Sequence, residues 1–165
     1  MLLKRQEEWQ TIYIDPKTSE EWVLYPLWEY HGPGPNCLRR GTPTLSELLS
    51  CIQESQDDAE VSAAAFHLAN ELVGGRENYQ PLLDCLELMT SNCSNERILR
   101  NVGLAIAWSR IEHPFNSRPI IGKSADQIKT DYEHFVGIAN RASALKAKVE
   151  AVLGYSISQK STSFQ

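Results

Sequence analysis

The sequence predicts a mostly α fold, with antiparallel helical hairpins packed as a superhelix-like bundle and a small N-terminal β-hairpin. Three observations carry that expectation. Five segments between Thr44 and Leu153 each combine an N-terminal cap with an apolar stripe of helical period. The chain from Trp9 to Tyr25 instead alternates and is rich in aromatic and β-branched residues, as strands are. The first four helical segments are joined by short connections, which favour antiparallel neighbours. At 165 residues, 42% apolar and 22% charged, the chain reads as one domain over residues 1–155. Within it, residues 1–30 form the hairpin region, 31–43 a loop and 44–155 the helical region, with 156–165 a flexible tail.

The hairpin comes first. Trp9, Thr11 and Tyr13 share one face of an extended strand, and Gln10, Ile12 and Ile14 share the other. Asp15-Pro16-Lys17-Thr18-Ser19 is turn chemistry, since proline fixes φ and aspartate bonds its own downstream backbone. Glu21–Tyr25 is the returning strand. Two strands alone are marginal in water, so the hairpin either docks on the helices or gains a third strand near Leu27–Tyr30. His31-Gly32-Pro33-Gly34-Pro35-Asn36 reads as a loop.

The helices follow. Thr44 caps the first, with Glu47 completing a capping box and Leu45, Leu48, Leu49 and Ile52 as its stripe. The second starts from Asp57, with Glu60 in the box position, and runs through Val61, Ala64, Ala65, Leu68 and Leu72 to Gly74-Gly75. Tyr79, Leu82, Leu83 and Leu86 mark the third, from about Asn78 to Met89, with Pro81 tolerable in its first turn. The fourth starts near Ser94, carries Ile98, Leu99, Val102, Ala105 and Ile106, and ends around His113-Pro114. Ser124 and Gln127 cap the fifth and longest. Its apolar positions Ile128, Tyr132, Phe135, Ala139, Ala142, Leu145, Val149 and Val152 hold the period to Gly154.

Composition narrows the function. Met1–Gln6 lacks the apolar core of a signal peptide, and no run is apolar for long enough to span a bilayer, so a cytoplasmic protein is expected. Cys37, Cys51, Cys85 and Cys93 make no Cys-x-x-Cys knuckle and are expected to be reduced thiols. Residues 1–60 hold eleven acids against five Lys/Arg, a balance of −6, whereas residues 61–165 hold ten against eleven, a balance of +1. An acidic first third repels phosphate backbones and steers basic partners toward itself, so nucleic acid is not an expected partner.

Catalytic patterns fail on inspection. Gly122-Lys123-Ser124 lacks the earlier glycine of a phosphate-binding loop, which Ser117 replaces. The prolines of residues 31–35 remove the donors that a dinucleotide fingerprint needs. There is no Gly-x-Ser-x-Gly elbow and no His-Glu-x-x-His; His67 and Glu71 lie one helical turn apart, but two residues do not make a metal site. No cofactor is expected. The carboxylate pairs Glu7-Glu8, Glu20-Glu21 and Asp57-Asp58 sit at turns or helix starts, where water and the helix dipole already account for them. Trp9, Tyr13, Trp22, Tyr25, Trp28 and Tyr30 fall within 22 residues, interleaved with Glu20, Glu21 and Glu29. Core packing accounts for one face of those strands, and an interface for a cationic partner accounts for the other; both readings stay open.

These residues carry a resemblance. Trp9…Tyr13-Ile14-Asp15…Glu21-Trp22, Trp28-Glu29-Tyr30, the Gly/Pro loop, Leu38-Arg39-Arg40 and Pro43–Leu49 resemble bacterial immunity proteins of polymorphic toxin and contact-dependent growth inhibition systems. Trp108…Pro114-Phe115-Asn116 and Asp131-Tyr132…Phe135 fit the same pattern, which spans most of residues 9–140. The resemblance implies a small cytosolic protein that binds one toxin domain, often a basic nuclease, and blocks it; it implies no catalytic residues. The toxin-contacting candidates read from the residues are Glu20, Glu21, Trp28, Glu29, Tyr30, Asp57, Asp58 and Glu60. The alternatives are a helical-repeat adaptor or subunit of a larger assembly, and an enzyme such as a helical-repeat DNA glycosylase. The latter needs a basic concave face that a balance of +1 does not supply.

Overall fold

A computed structural model describes residues 1–7, 10–29, 32–41, 43–69, 75–91, 93–114 and 122–157, with the backbone alone described for 26–29, 32–37, 39 and 75. The fold is mostly α with an N-terminal antiparallel sheet, as the periodicities predict. The chain divides into two compact units, Met1–Glu47 and Leu48–Gln165.

The first unit is a four-stranded antiparallel meander in the order β1-β2-β3-β4, with β1 Leu2–Gln6, β2 Thr11–Ile14, β3 Glu21–Glu29 and β4 Gly32–Arg40. The predicted hairpin is therefore its middle pair. Ile12 stands opposite Val23, and both are buried; Tyr13 stands opposite Trp22 on the other face, and both are half-buried. The turn forms as its chemistry predicts. Asp15 Oδ1 accepts from Lys17 N at 2.8 Å, the Asp15 backbone N–H donates to Glu20 O at 2.9 Å, and Ser19 takes a φ of 59°.

Two outer strands depart from the expectation. β1 lies where no strand is predicted, because Leu2–Gln6 shows no alternation; all five residues are exposed, and the register slips at Lys4. The predicted loop of residues 31–43 holds β4 from Gly32 to Arg40; His31 and Thr42 lie outside the described residues. Pro33 and Pro35 are admissible there because β4 is an edge strand, where missing donors can face away from the ladder. Pro26 of β3 likewise lies beyond Leu24, the last β3 residue that β2 pairs.

Helix α1, Leu45–Glu54, begins at the end of the first unit, and the second unit holds the rest of it with α2 Asp58–Leu68, α3 Tyr79–Thr90, α4 Glu96–Ser109 and α5 Ala125–Leu153. The first turn of α1 closes the predicted capping box: Thr44 N–H donates to Glu47 Oε2 at 2.8 Å, and Glu47 N–H donates to Thr44 Oγ1 at 3.3 Å. Ser124 and Gln127 close the same box on α5. Asp57 caps α2 through Ala59 N–H at 2.8 Å, but Glu60 does not return to it; its carboxylate accepts from Ser55 Oγ at 2.6 Å instead. Helix α2 ends at Leu68, and Leu72 and Gly74 lie outside the described residues. Asn78 Nδ2 donates to Leu68 O at 3.0 Å and so satisfies a carbonyl at that end.

The centre of this unit is α4, which packs against α2, α3 and α5. Every residue from Asn101 to Ser109 is buried, so α4 is sealed all round rather than on one stripe. Asn95 caps it at one end, accepting from Arg97 N–H at 2.9 Å. It stops at Ser109, short of the expected His113-Pro114, because Arg110 turns left-handed with φ 57°. Leu82, Leu83 and Leu86 of α3 are fully buried as predicted, each contributing about 1.5–3 kcal/mol of transfer free energy.

Helix α5 buries the predicted stripe only between Ala139 and Val149. Ile138, Ala139, Ala142, Leu145 and Val149 are buried, whereas Tyr132 and Val152 are exposed. The tail expected to be flexible begins in order: Ile157 is 3% exposed, and its N–H donates to Glu150 Oε1 at 2.7 Å. Residues 158–165 lie outside the described ones.

Candidate functional site

The candidate carboxylates fall into two groups. Glu20 precedes and Glu21 opens β3 in the first unit, and Asp57, Asp58 and Glu60 stand at the start of α2 in the second. The side chains of Trp28, Glu29 and Tyr30 lie outside the described residues.

In the first group both acids reach basic partners across the sheet. Glu20 Oε1 accepts from Arg40 Nη1 at 3.1 Å, and Thr18 Oγ1 donates to Glu20 Oε2 at 3.2 Å. Glu21 pairs with Lys4 of β1. The hydrogen bond from the Lys4 ammonium, and then its charge, hold the Glu21 carboxyl below its ordinary value. All four side chains are at least 40% exposed, so water screens these pairs and each is worth little.

The second group is occupied differently. Asp58 lies between Arg97 and Arg100 of α4, three residues apart and so on one side of that helix. Its Oδ1 accepts from Arg97 Nη1 at 2.7 Å and from Arg100 Nε at 3.0 Å; its Oδ2 accepts from Arg100 Nε at 2.9 Å and from Arg100 Nη2. The Arg100 hydrogen bonds hold the Asp58 carboxyl below its ordinary value, against the opposing effect of partial burial. Arg100 is correspondingly raised, and its Nη1 also donates to Tyr155 Oη at 3.2 Å. Asp58 is therefore an internal counter-ion that ties α2 to α4. Asp57 is committed to its cap, and Glu60 to Ser55.

The same face of α4 closes the end of α1. Arg97 Nε donates to Ser55 O at 3.2 Å, while Asn101 Nδ2 donates to Ile52 O at 2.9 Å and to Ser55 O at 3.0 Å. Helix C-termini leave such carbonyls without intrahelical donors, and here a neighbouring helix supplies them.

Arg97, Arg100, Asn101 and Tyr155 are thus the structurally committed residues that sequence reasoning passes over. The available signal was Arg97 and Arg100 at spacing three, in the first turns of a helix that runs on into the apolar stretch Val102–Trp108. His67, weighed as half of a metal pair, is buried in α2, and Glu71 lies outside the described residues. Among the described residues no three His, Cys, Asp or Glu side chains converge on a common point, and no helix is long and apolar enough to cross a membrane. Comparison with protein-family models, curated proteins and solved structures finds no match to this chain.

Proposed function

We propose that this chain is an immunity protein, one that binds a single toxin domain in the cytoplasm and neutralises it by covering its active site. The observation that carries the reading is the acidic first sixty residues, where Glu20 and the exposed Glu21 stand side by side at the start of β3. Their pairs with Arg40 and Lys4 are solvent-screened, so a basic partner exchanges with those cations at small cost. The sheet supports the same reading through its aromatic content: Tyr13 and Trp22 are half-buried on one face, and such amphipathic rings favour interfaces. Asp58 drops out of the contact set because two guanidiniums already saturate it, and Asp57 and Glu60 serve the start of α2. The partner is a protein, and the chain acts on it by shape and negative potential, without nucleic acid, membrane, cofactor or catalysis.

The test is co-expression with the product of the adjacent upstream gene. The expected result is a stable complex and rescued growth of cells making that product. A protein that forms no complex and protects no cell overturns the reading.

A further inference from the structure

Helix α5 ends at Gly154, whose φ of 77° reverses the chain and whose N–H donates to Glu150 O at 2.9 Å. Of the three residues that follow, Tyr155 and Ile157 return to α4 through their side chains, and Ser156 turns back to Glu150 of α5. Tyr155 Oη accepts from Arg100 Nη1 at 3.2 Å, and Ser156 Oγ donates to Glu150 Oε1 at 3.0 Å. The Ile157 N–H donates to the same carboxylate oxygen at 2.7 Å, and the Ile157 side chain is 3% exposed. Its seat is Gly103 of α4. A Cβ at that position would collide with the Ile157 terminal methyl and lie 3.3 Å from Cγ1, so the seat exists only because residue 103 has no side chain.

We propose that residues 154–157 form a strap that opens and closes on α4 as a unit, with Gly154 as hinge, Gly103 as seat and the Arg100–Asp58 pair as the charge cluster it screens. One seated side chain and a few side-chain hydrogen bonds hold it, whereas every residue of α4 from Asn101 to Ser109 is buried. An element held so lightly opens without the core opening, because local openings span the range from near zero up to global stability. Opening withdraws Tyr155 from Arg100, uncovers the seat at Gly103, and gives solvent access to a guanidinium and carboxylate that are 32% and 27% exposed when the strap is shut. The strap state thus sets how much of that ion pair the surface presents, whatever partner the protein binds.

Amide hydrogen exchange on the full chain tests this under native conditions, comparing wild type, Ile157→Ala and Gly103→Ala. In wild type the residue 157 amide is expected to exchange at least about tenfold faster than those of Leu104–Ile106. In Ile157→Ala its protection falls a further 10- to 100-fold or so, the equivalent of about three buried methyl-sized groups, while Leu104–Ile106 stay as in wild type. Gly103→Ala lowers protection at residue 157 in the same direction by evicting the terminal methyl. Residue 157 exchanging in step with Leu104–Ile106 in all three proteins overturns the strap, since it then opens only with the core. Protection at residue 157 unchanged in both variants overturns the seat.

Discussion

Replacing Asp58 by asparagine removes one charge and leaves Arg97 and Arg100 side by side, 23% and 32% exposed, without their shared counter-ion. Breaking a fully buried ion pair from one side costs about 3–5 kcal/mol, and breaking an exposed one about 0–1 kcal/mol. Asp58 is 27% exposed and accepts from both arginines, so the cost falls between these limits, at about 2 kcal/mol. Urea unfolding at pH 7 reads this directly. With a slope of about 2 kcal/mol per molar, the midpoint drops by about 1 M. The pH dependence supplies an independent check. The Asp58 pKa is lowered in the folded protein, so the stability it contributes is present above its ordinary value of 3.8 and is lost as pH falls through the depressed folded value. The gap between wild type and Asp58→Asn therefore closes in acid. A variant within about 0.2 M of wild type at pH 7, or a gap that persists undiminished to pH 2, refutes the assignment of Asp58 as an internal counter-ion.

Other perturbations separate the remaining contributions. Asn101→Leu strips the Ile52 and Ser55 carbonyls of a buried donor and is expected to destabilise by about 2 kcal/mol, measured by the same urea titration. Leu83→Ala, at a site with no exposure, is expected to cost about 2–5 kcal/mol by thermal or urea unfolding. Thr44→Ala opens the α1 capping box at an exposed position and should cost only about 1 kcal/mol. If the proposed toxin binding holds, stopped-flow association slows as salt rises, and Glu20→Lys with Glu21→Lys together slow it about tenfold at low salt. Rates indifferent to both remove the electrostatic part of that proposal.

What could be read from the sequence was whatever depends on near neighbours. The caps at Thr44, Asp57 and Ser124 are legible because a short polar side chain and a backbone N–H two or three residues on suffice to define them. The Asp15 turn is legible for the same reason. Strand β4 was not, since prolines argue against a central strand and whether a strand lies at an edge is a property of the sheet. Nor was β1, whose residues pair with β2 while burying no face of their own. The burial of α4 was half legible: its stripe was visible, but Asn101 and Ser109 do not look like core residues until the carbonyl of Ile52 accepts from Asn101 Nδ2 and that of Ile106 from Ser109 Oγ. The acidic candidates show the limit most clearly. Composition counts Asp58 as surface charge, and only the return of α4 beside α2 reveals that two arginines have claimed it.

The rim of the N-terminal sheet carries one more implication. Strand β1 lies at one margin with its register broken at Lys4, and β4 lies at the other with Pro33 and Pro35 set two residues apart. A bulge with a lysine on one side and paired imino acids on the other both discourage a neighbouring molecule from zipping on as a fifth strand. Growth of the sheet halts at four. Those edges favour engagement across the pleated surface, where selectivity follows ring and charge placement, over backbone hydrogen bonding that any extended peptide could imitate.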